Sequence, residues 1–238
     1  DIENTALHTY RNIGYDNSLM VHNFINKQSE QLNSSVLNGG AGDQGIVYGY
    51  AVNNNFNYLP YGVYIANKVA KSLDEYKRAN SYLKSDGKVQ VTIDSDTIIN
   101  LTISIQHTQD AIIESVRKDI KNLISSIIDV DNTIISINNN SRFINGGFIN
   151  DTGLTGRKIM VDTYGGIVNH GGGAFSGKDP SKIDRSAAYM ARFIAKNIVA
   201  NGLEPNCEIS IAYTFGDEQP IMIMARTNDK DNPKLRDY

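Results

Sequence analysis

Gly171-Gly172-Gly173-Ala174-Phe175-Ser176-Gly177-Lys178-Asp179-Pro180 is the stretch on which the reading of this chain turns. It is dense in glycine, ends in a lysine and an aspartate, and runs straight into a long helical pattern. Joining two elements does not require so little side-chain bulk. Bringing backbone N–H groups onto a polyanion at a helix N-terminus does. Upstream, Gly153-Leu154-Thr155-Gly156-Arg157-Lys158 repeats the glycine spacing with two adjacent cations. The two loops together make phosphate the leading ligand. Downstream, Ala187, Ala188, Ala191, Ile194, Ala195, Ile198 and Val199 share one helical face. Ser181 is placed to cap that helix, with Asp184 three residues on and Gly202 to close it.

Gly172 to Lys178 fits the spacing of a nucleotide phosphate loop only in part. Asp179 stands where a Ser or Thr would hold magnesium, and Asn169-His170 is no hydrophobic strand. Lys178 and Lys182 can serve phosphate or simply solvate. Asp184 has two readings, a helix cap or a magnesium ligand beside phosphates gathered by those lysines, and the residues alone favour the cap. His170 reads as a loop hydrogen-bonder. His22 and His107 have no metal-ligand partners at convincing spacing. In Gly39-Gly40-Ala41-Gly42-Asp43-Gln44-Gly45 a single carboxylate sits among glycines, either reaching a ligand or closing a tight turn. Asp86 and Lys88, ahead of a strand at Val89, are equally open.

Helical spacing also marks residues 63–76 (Ile65, Val69, Leu73), residues 111–128 and a short stretch at 18–27. Strands are expected at 89–93 and 99–105, joined by a hairpin turn at Asp94-Ser95-Asp96, at 158–162, at 208–215 and at 221–224. Hairpins between single long helices give an α+β fold with each sheet covered on one face by helices. A break is expected in the asparagine-rich region 129–150, dividing residues 1–130 from 131–238, with strands interleaved between the domains.

A formal net charge of -3 over 238 residues leaves no global field to recruit nucleic acid or an anionic membrane. The single cysteine, Cys207, excludes an intrachain disulfide and a cysteine zinc cluster and reads as a small packed side chain. No apolar run reaches membrane-spanning length. Asp1-Ile2-Glu3-Asn4 does not resemble a signal peptide, so a cytoplasmic location is expected. Both ends read as boundaries within a longer protein.

Taken together, these segments resemble S-adenosylmethionine synthetase (methionine adenosyltransferase). The resemblance rests on Gly40-Ala41-Gly42-Asp43-Gln44-Gly45, on Asp151 through Lys158, on Asp162-Thr163-Tyr164-Gly165-Gly166 and on Gly171 through Asp184. It implies a pseudo-threefold arrangement of similar α+β domains. It also implies an enzyme that joins L-methionine to ATP by sulfur attack on ribose C5′ and then hydrolyses the triphosphate. Two magnesium ions and potassium would be its cofactors, and it would be a homodimer or homotetramer with sites between subunits. Carried over residue by residue, Asp43 orients methionine. Asp86, Lys88, Phe143 and Asp151 hold nucleotide or substrate, and Arg157, Lys158, Lys178 and Lys182 contact triphosphate. Asp184 becomes a magnesium ligand, against the cap preferred above.

The chain also departs from the family. A His-Pro-Asp signature and a potassium-associated glutamate are missing, and the link before the Asp43 motif is short. Asn138-Asn139-Asn140-Ser141 replaces the family's Asn-Pro-Ser/Thr-Gly before Arg142-Phe143. The alternative is a shortened, inactive relative acting as a nucleotide-binding or scaffold partner; retention of Asp43, Lys178, Lys182 and Asp184 favours the enzyme.

Overall fold

The structure is a computed structural model that describes residues 1–37, 39–139 and 142–228. Asn140 and Ser141, and the chain end at 234–238, lie outside the described residues. In chain order the elements are α1 (Ile2–Ile13), α2 (Glu30–Leu37), β1 (Gly45–Val52), α3 (Tyr61–Ala79), β2 (Leu83–Asp94), β3 (Thr97–His107), α4 (Ile113–Ile127), β4 (Ile134–Ile137), α5 (Ile183–Ala200), β5 (Asn206–Tyr213) and β6 (Met222–Thr227). A 3-10 turn spans Gly147–Ile149. The chain divides into two compact units, both discontinuous in sequence: Asp1–Asn26 with Tyr61–Gly153, and Lys27–Pro60 with Leu154–Tyr238.

The first unit is built on the sheet β2-β3-β4. β2 and β3 form the expected antiparallel hairpin, with Ser95 at φ 55 in its turn. Alternation along β3 turns Leu101, Ile103 and Ile105 into the core, while Asn100, Thr102 and Ser104 take the other face. Against that core lie Ile65, Val69 and Leu73 of α3 and Val116, Ile120 and Ile124 of α4, each set spaced four residues apart. Fully burying one such aliphatic side chain contributes about 2 kcal/mol. β4 pairs with β3 in parallel, from Asn100↔Ile134 to Ile103↔Ile137. Residues 131–153 therefore belong with this unit rather than with the one that carries the glycine loop.

The second unit is the antiparallel sheet β1-β5-β6 with α5 on one face. The small residues of α5 let it lie directly on the sheet. Ala187, Ala188, Ala191 and Ala195 are buried with Val47, Ala51, Cys207, Ile209 and Ile211. A Cβ at Gly49 would stand 2.1 Å from the Arg192 backbone nitrogen, so only glycine permits this crossing. Arg192 reaches beside the strand and donates to the carbonyls of Tyr50, Tyr58 and Asn57.

Three expectations are corrected. Residues 18–27 form no helix, although Met20 and Phe24 have helical spacing. Asn23 accepts from the Ile25 N–H at 3.0 Å and Asn26 donates to the Phe24 carbonyl at 3.3 Å. Such local asparagine bonds compete with helix, and Phe24 stays 84% exposed. Residues 158–162 are not a strand but a run of turns, with the Asp162 N–H on the Lys158 carbonyl at 3.0 Å and the Gly165 N–H on the Met160 carbonyl at 2.8 Å. Finally, Ser181 does not cap α5. The N-cap is Lys182, without a side-chain cap bond, and the Ser181 hydroxyl and N–H both go to Asp179.

Candidate functional site

In the second unit the glycine loop 171–177 leads through Lys178 to the first turn of α5, where Asp184 stands. Lys178 and Asp184 are ion-paired, each side chain about a quarter exposed (29% and 25%). Gly173 makes this possible, because a Cβ there would lie 2.2 Å from the Asp184 carboxyl carbon and 2.7 Å from its Cβ. The carboxylate thus occupies the space a side chain at 173 would need. At the loop's start, a Cβ at Gly171 would meet the Ile46 carbonyl oxygen at 1.7 Å, so the loop lies on the backbone of β1. The His170 Nδ1 accepts from the Gly172 N–H at 2.8 Å, which is the loop role read from sequence. The cleft between this loop, β1 and Asp184, lined also by Tyr164 and Phe175, leaves about 10 Å³. That is room for one water.

Around the pair the polar groups are arranged for charge. Arg185 donates to the Lys178 carbonyl and lies over the Tyr189 ring at 5.7 Å. Lys182 sits 3.7 Å from the Asp179 carboxylate. Hydrogen bonds from Ser181 hold the Asp179 carboxyl below the usual carboxylate range. The second cationic loop abuts the first, since a Cβ at Gly156 would come 2.9 Å from the Ala174 Cβ. Arg157 and Lys158 on it are exposed and, among the described residues, form no ion pair. Asp43 is exposed immediately before β1 and accepts from the Gln44 N–H at 2.8 Å. Its neighbour Gly42 directs a Cβ position 3.9 Å from the Ser181 carbonyl.

The remaining candidates lie in the first unit. Asp86, half-buried near the start of β2, accepts from the Gly147 N–H at 3.2 Å. Lys88 is exposed on the same strand, Phe143 is half-buried after β4, and Asp151 is exposed, accepting from the Thr152 N–H at 2.8 Å. Lys178 and Asp184 are thus brought into contact, with the loops of Lys158 and Asp43 alongside. Asp86 is brought to the segment that follows Phe143. Sequence reasoning gave no role to Gln106, His107 and Arg192, weighing only His107 and only as a metal ligand; their side chains fix backbone rather than face solvent. Only the oddity of polar residues closing an apolar strand marked the first two.

Among the described residues no three His, Cys, Asp or Glu side chains converge on a metal position. No described helix is long and apolar enough to cross a membrane.

Fold and site define an α+β protein of two sheet–helix units, with a glycine loop and an ion pair at the head of a helix. Its sequence matches two family domains: S-adenosylmethionine synthetase, central domain, over residues 38–145, and S-adenosylmethionine synthetase, C-terminal domain, over residues 145–237. The solved structure of an S-adenosylmethionine synthetase from Campylobacter jejuni, described as unusual, superposes with a TM-score of 0.89 at 32% identity, covering 100% of this chain and 68% of that one. The chain belongs to the S-adenosylmethionine synthetase family, and its α+β fold is that family's.

Proposed function

We propose that this protein makes S-adenosylmethionine from ATP and L-methionine and then hydrolyses the displaced triphosphate to pyrophosphate and phosphate. The observation that carries the reading is the Lys178–Asp184 pair at the end of the glycine loop. A cation and a carboxylate that neutralise each other at a helix N-terminus can separate when metal-bound polyphosphate arrives. Lys178 would then hold phosphate oxygen, and Asp184 would hold the metal.

Methionine sulfur needs no base, since it carries a lone pair and no proton. An S–C5′ bond forms as the C5′–O bond breaks, and the electron pair leaves on the triphosphate. The chain's task is alignment and the stabilisation of that developing charge. Lys178, Lys182, Arg157 and Lys158 supply cations for the triphosphate, joined by N–H groups of the glycine loop. Asp43 orients methionine, and Asp86, Lys88, Phe143 and Asp151 hold the nucleotide side. Water then attacks the triphosphate within the same clamp.

Asp184 suits magnesium of the kind held by one carboxylate, water and substrate phosphate, which needs no cage of protein ligands. When bound, the ion neutralises charge on the departing oxygens. Among the described residues no three His, Cys, Asp or Glu side chains gather at Asp184 for the other magnesium expected, and no residue is assigned to potassium. Homodimeric or homotetrameric assembly and a cytoplasmic location complete the proposal.

The test is release of pyrophosphate and phosphate from ATP by the purified protein. Release that depends on methionine, with S-adenosylmethionine formed in equal amount to pyrophosphate, is expected. ATP binding without methionine-dependent turnover would instead establish the inactive relative.

A further inference from the structure

We infer that Gln106 and His107, the last two residues of β3, are positioning residues that hold Asp86 and Phe143 in place for the nucleotide; this rests on the function proposed above. The β2–β3 ladder passes from Leu83↔His107 to Gly87↔Ile105, so residues 84–86 bulge out opposite Gln106 alone. A bulge re-aims side chains and leaves backbone groups without ladder partners. Gln106 supplies what the ladder lacks. Its Oε1 accepts from the Asp86 N–H at 3.1 Å, and its Nε2 donates to the Ile144 carbonyl at 2.9 Å.

His107 does the same one residue on. It is fully buried. Its Nδ1 donates to the Thr108 carbonyl at 2.8 Å, and its Nε2 accepts from the Phe143 N–H at 3.2 Å. The Phe143 carbonyl in turn accepts from the His107 N–H at 2.8 Å. One neutral tautomer satisfies all of these bonds, with the proton on Nδ1. The ring of contacts closes through the Asp86 carboxylate on the Gly147 N–H. Gly146 is pressed against Gln106, a Cβ there falling 2.6 Å from Oε1.

Residues 143–146 belong to no helix or strand. Their placement relative to Asp86 therefore depends on these two side chains. Gln106, His107, Ile144 and Gly146 also border a cavity of about 260 Å³ in the first unit, which Tyr15 and Lys84 help to enclose. Any slip of the segment is passed to the wall of that cavity. Two buried polar side chains where apolar ones would fill the same space are explained by the backbone they hold.

The experiment compares wild type with Gln106→Met, His107→Asn and His107→Gln. Met fills the volume of Gln106 without its hydrogen bonds. Asn keeps a donor near Nδ1 but cannot reach Phe143, whereas Gln returns an acceptor near Nε2. Binding of a non-hydrolysable ATP analogue is measured by calorimetry beside thermal unfolding, with KM for ATP and for methionine taken separately. Gln106→Met and His107→Asn should weaken analogue binding about tenfold or more, as expected for a buried group left unpaired. The KM for methionine should hold, and His107→Gln should recover most of the loss. Equal analogue binding by all four proteins would overturn the inference and leave the proposed function standing. If wild type binds no nucleotide, the proposed function fails, and with it the positioning of nucleotide. Should the variants not fold, wild-type side-chain nitrogen spectra decide. A protonated Nδ1, with Nε2 and the Phe143 amide shifting together on analogue binding, supports the inference. A protonated Nε2, or no shift, overturns it.

Discussion

Gly173 and Asp184 compete for one volume: a methyl group on the glycine would lie 2.2 Å from the carboxyl carbon of the aspartate. The aspartate cannot simply rotate away, because its Cβ would still be 2.7 Å distant. The absence of a side chain at residue 173 thus sets the position of the carboxylate that pairs with Lys178.

Gly173→Ala should therefore displace Asp184, lower the rate of S-adenosylmethionine formation at least tenfold and raise the magnesium concentration needed for half-maximal rate. The neighbouring Gly172→Ala is the control. Gly172 has φ 96 and open space where a Cβ would go, so alanine there costs only the strain of the left-handed backbone, about 1–2 kcal/mol. Rates over a magnesium titration, with unfolding midpoints for both variants, check this. Identical magnesium curves would disconnect Gly173 from the metal.

Lys178→Ala should reduce the maximal rate at least tenfold while leaving the fold intact. The pair is a quarter exposed on each side, so water can solvate the Asp184 carboxylate left behind, and stability should change little. Steady-state kinetics and circular dichroism separate the two effects. An unchanged maximal rate would remove Lys178 from the phosphate clamp.

The helices were legible in the sequence where one spacing persisted for several turns. Ile65, Val69 and Leu73 all lie in the core their periodicity assigned them. The β2–β3 hairpin was legible because its turn and its alternation agreed. β1 was not, since Gly45 to Val52 mixes tyrosines and glycines. Its strand character comes from pairing with β5 and from Gly49 admitting α5. β4 hid in asparagine-rich sequence because a four-residue strand paired in parallel depends on distant partners. At the site, the glycine loop and its cations stood out locally, but the partner of Asp184, read there as a helix cap or a magnesium ligand, did not. That partner is set in three dimensions, where Lys178 folds back onto the helix and Asp179 takes the Ser181 hydroxyl.

Arg192→Lys should destabilise the protein by about 3 kcal/mol without a direct loss of substrate contacts. The guanidinium donates to three carbonyls, two of them on Asn57 and Tyr58, which both sit at φ 58. A lysine ammonium cannot span that fork, and the part-buried carbonyls of Tyr50 and Tyr58, left unpaired, carry the cost. Burial already pushes the Arg192 pKa down, so this charge is held at some expense to solvation. Chemical denaturation measures the difference, and a change below about 1 kcal/mol would show that the loop 53–59 holds itself.

Cys207 gives the protein an alkaline limit that a thiol on the surface would not. Burial first, and then the charges of Glu204 and Glu208, push its pKa from 9.0 up to about 11. Between those values the unfolded chain has lost the proton and the folded one has kept it. Folded protein then binds more protons, and stability must fall as pH rises. The contribution is fully present below pH 9 and gone by about pH 11. The half-buried Tyr50 and Tyr82 and the buried Tyr164, whose pKa values are also raised, act in the same direction at higher pH. Cys207→Ala should flatten the fall between pH 9 and 11 in a series of denaturation curves. At pH 8 the native thiol should resist alkylation by iodoacetamide and react only on unfolding. Rapid native alkylation, or an alkaline slope unaltered in the alanine variant, would contradict the burial of this side chain between α5 and the sheet.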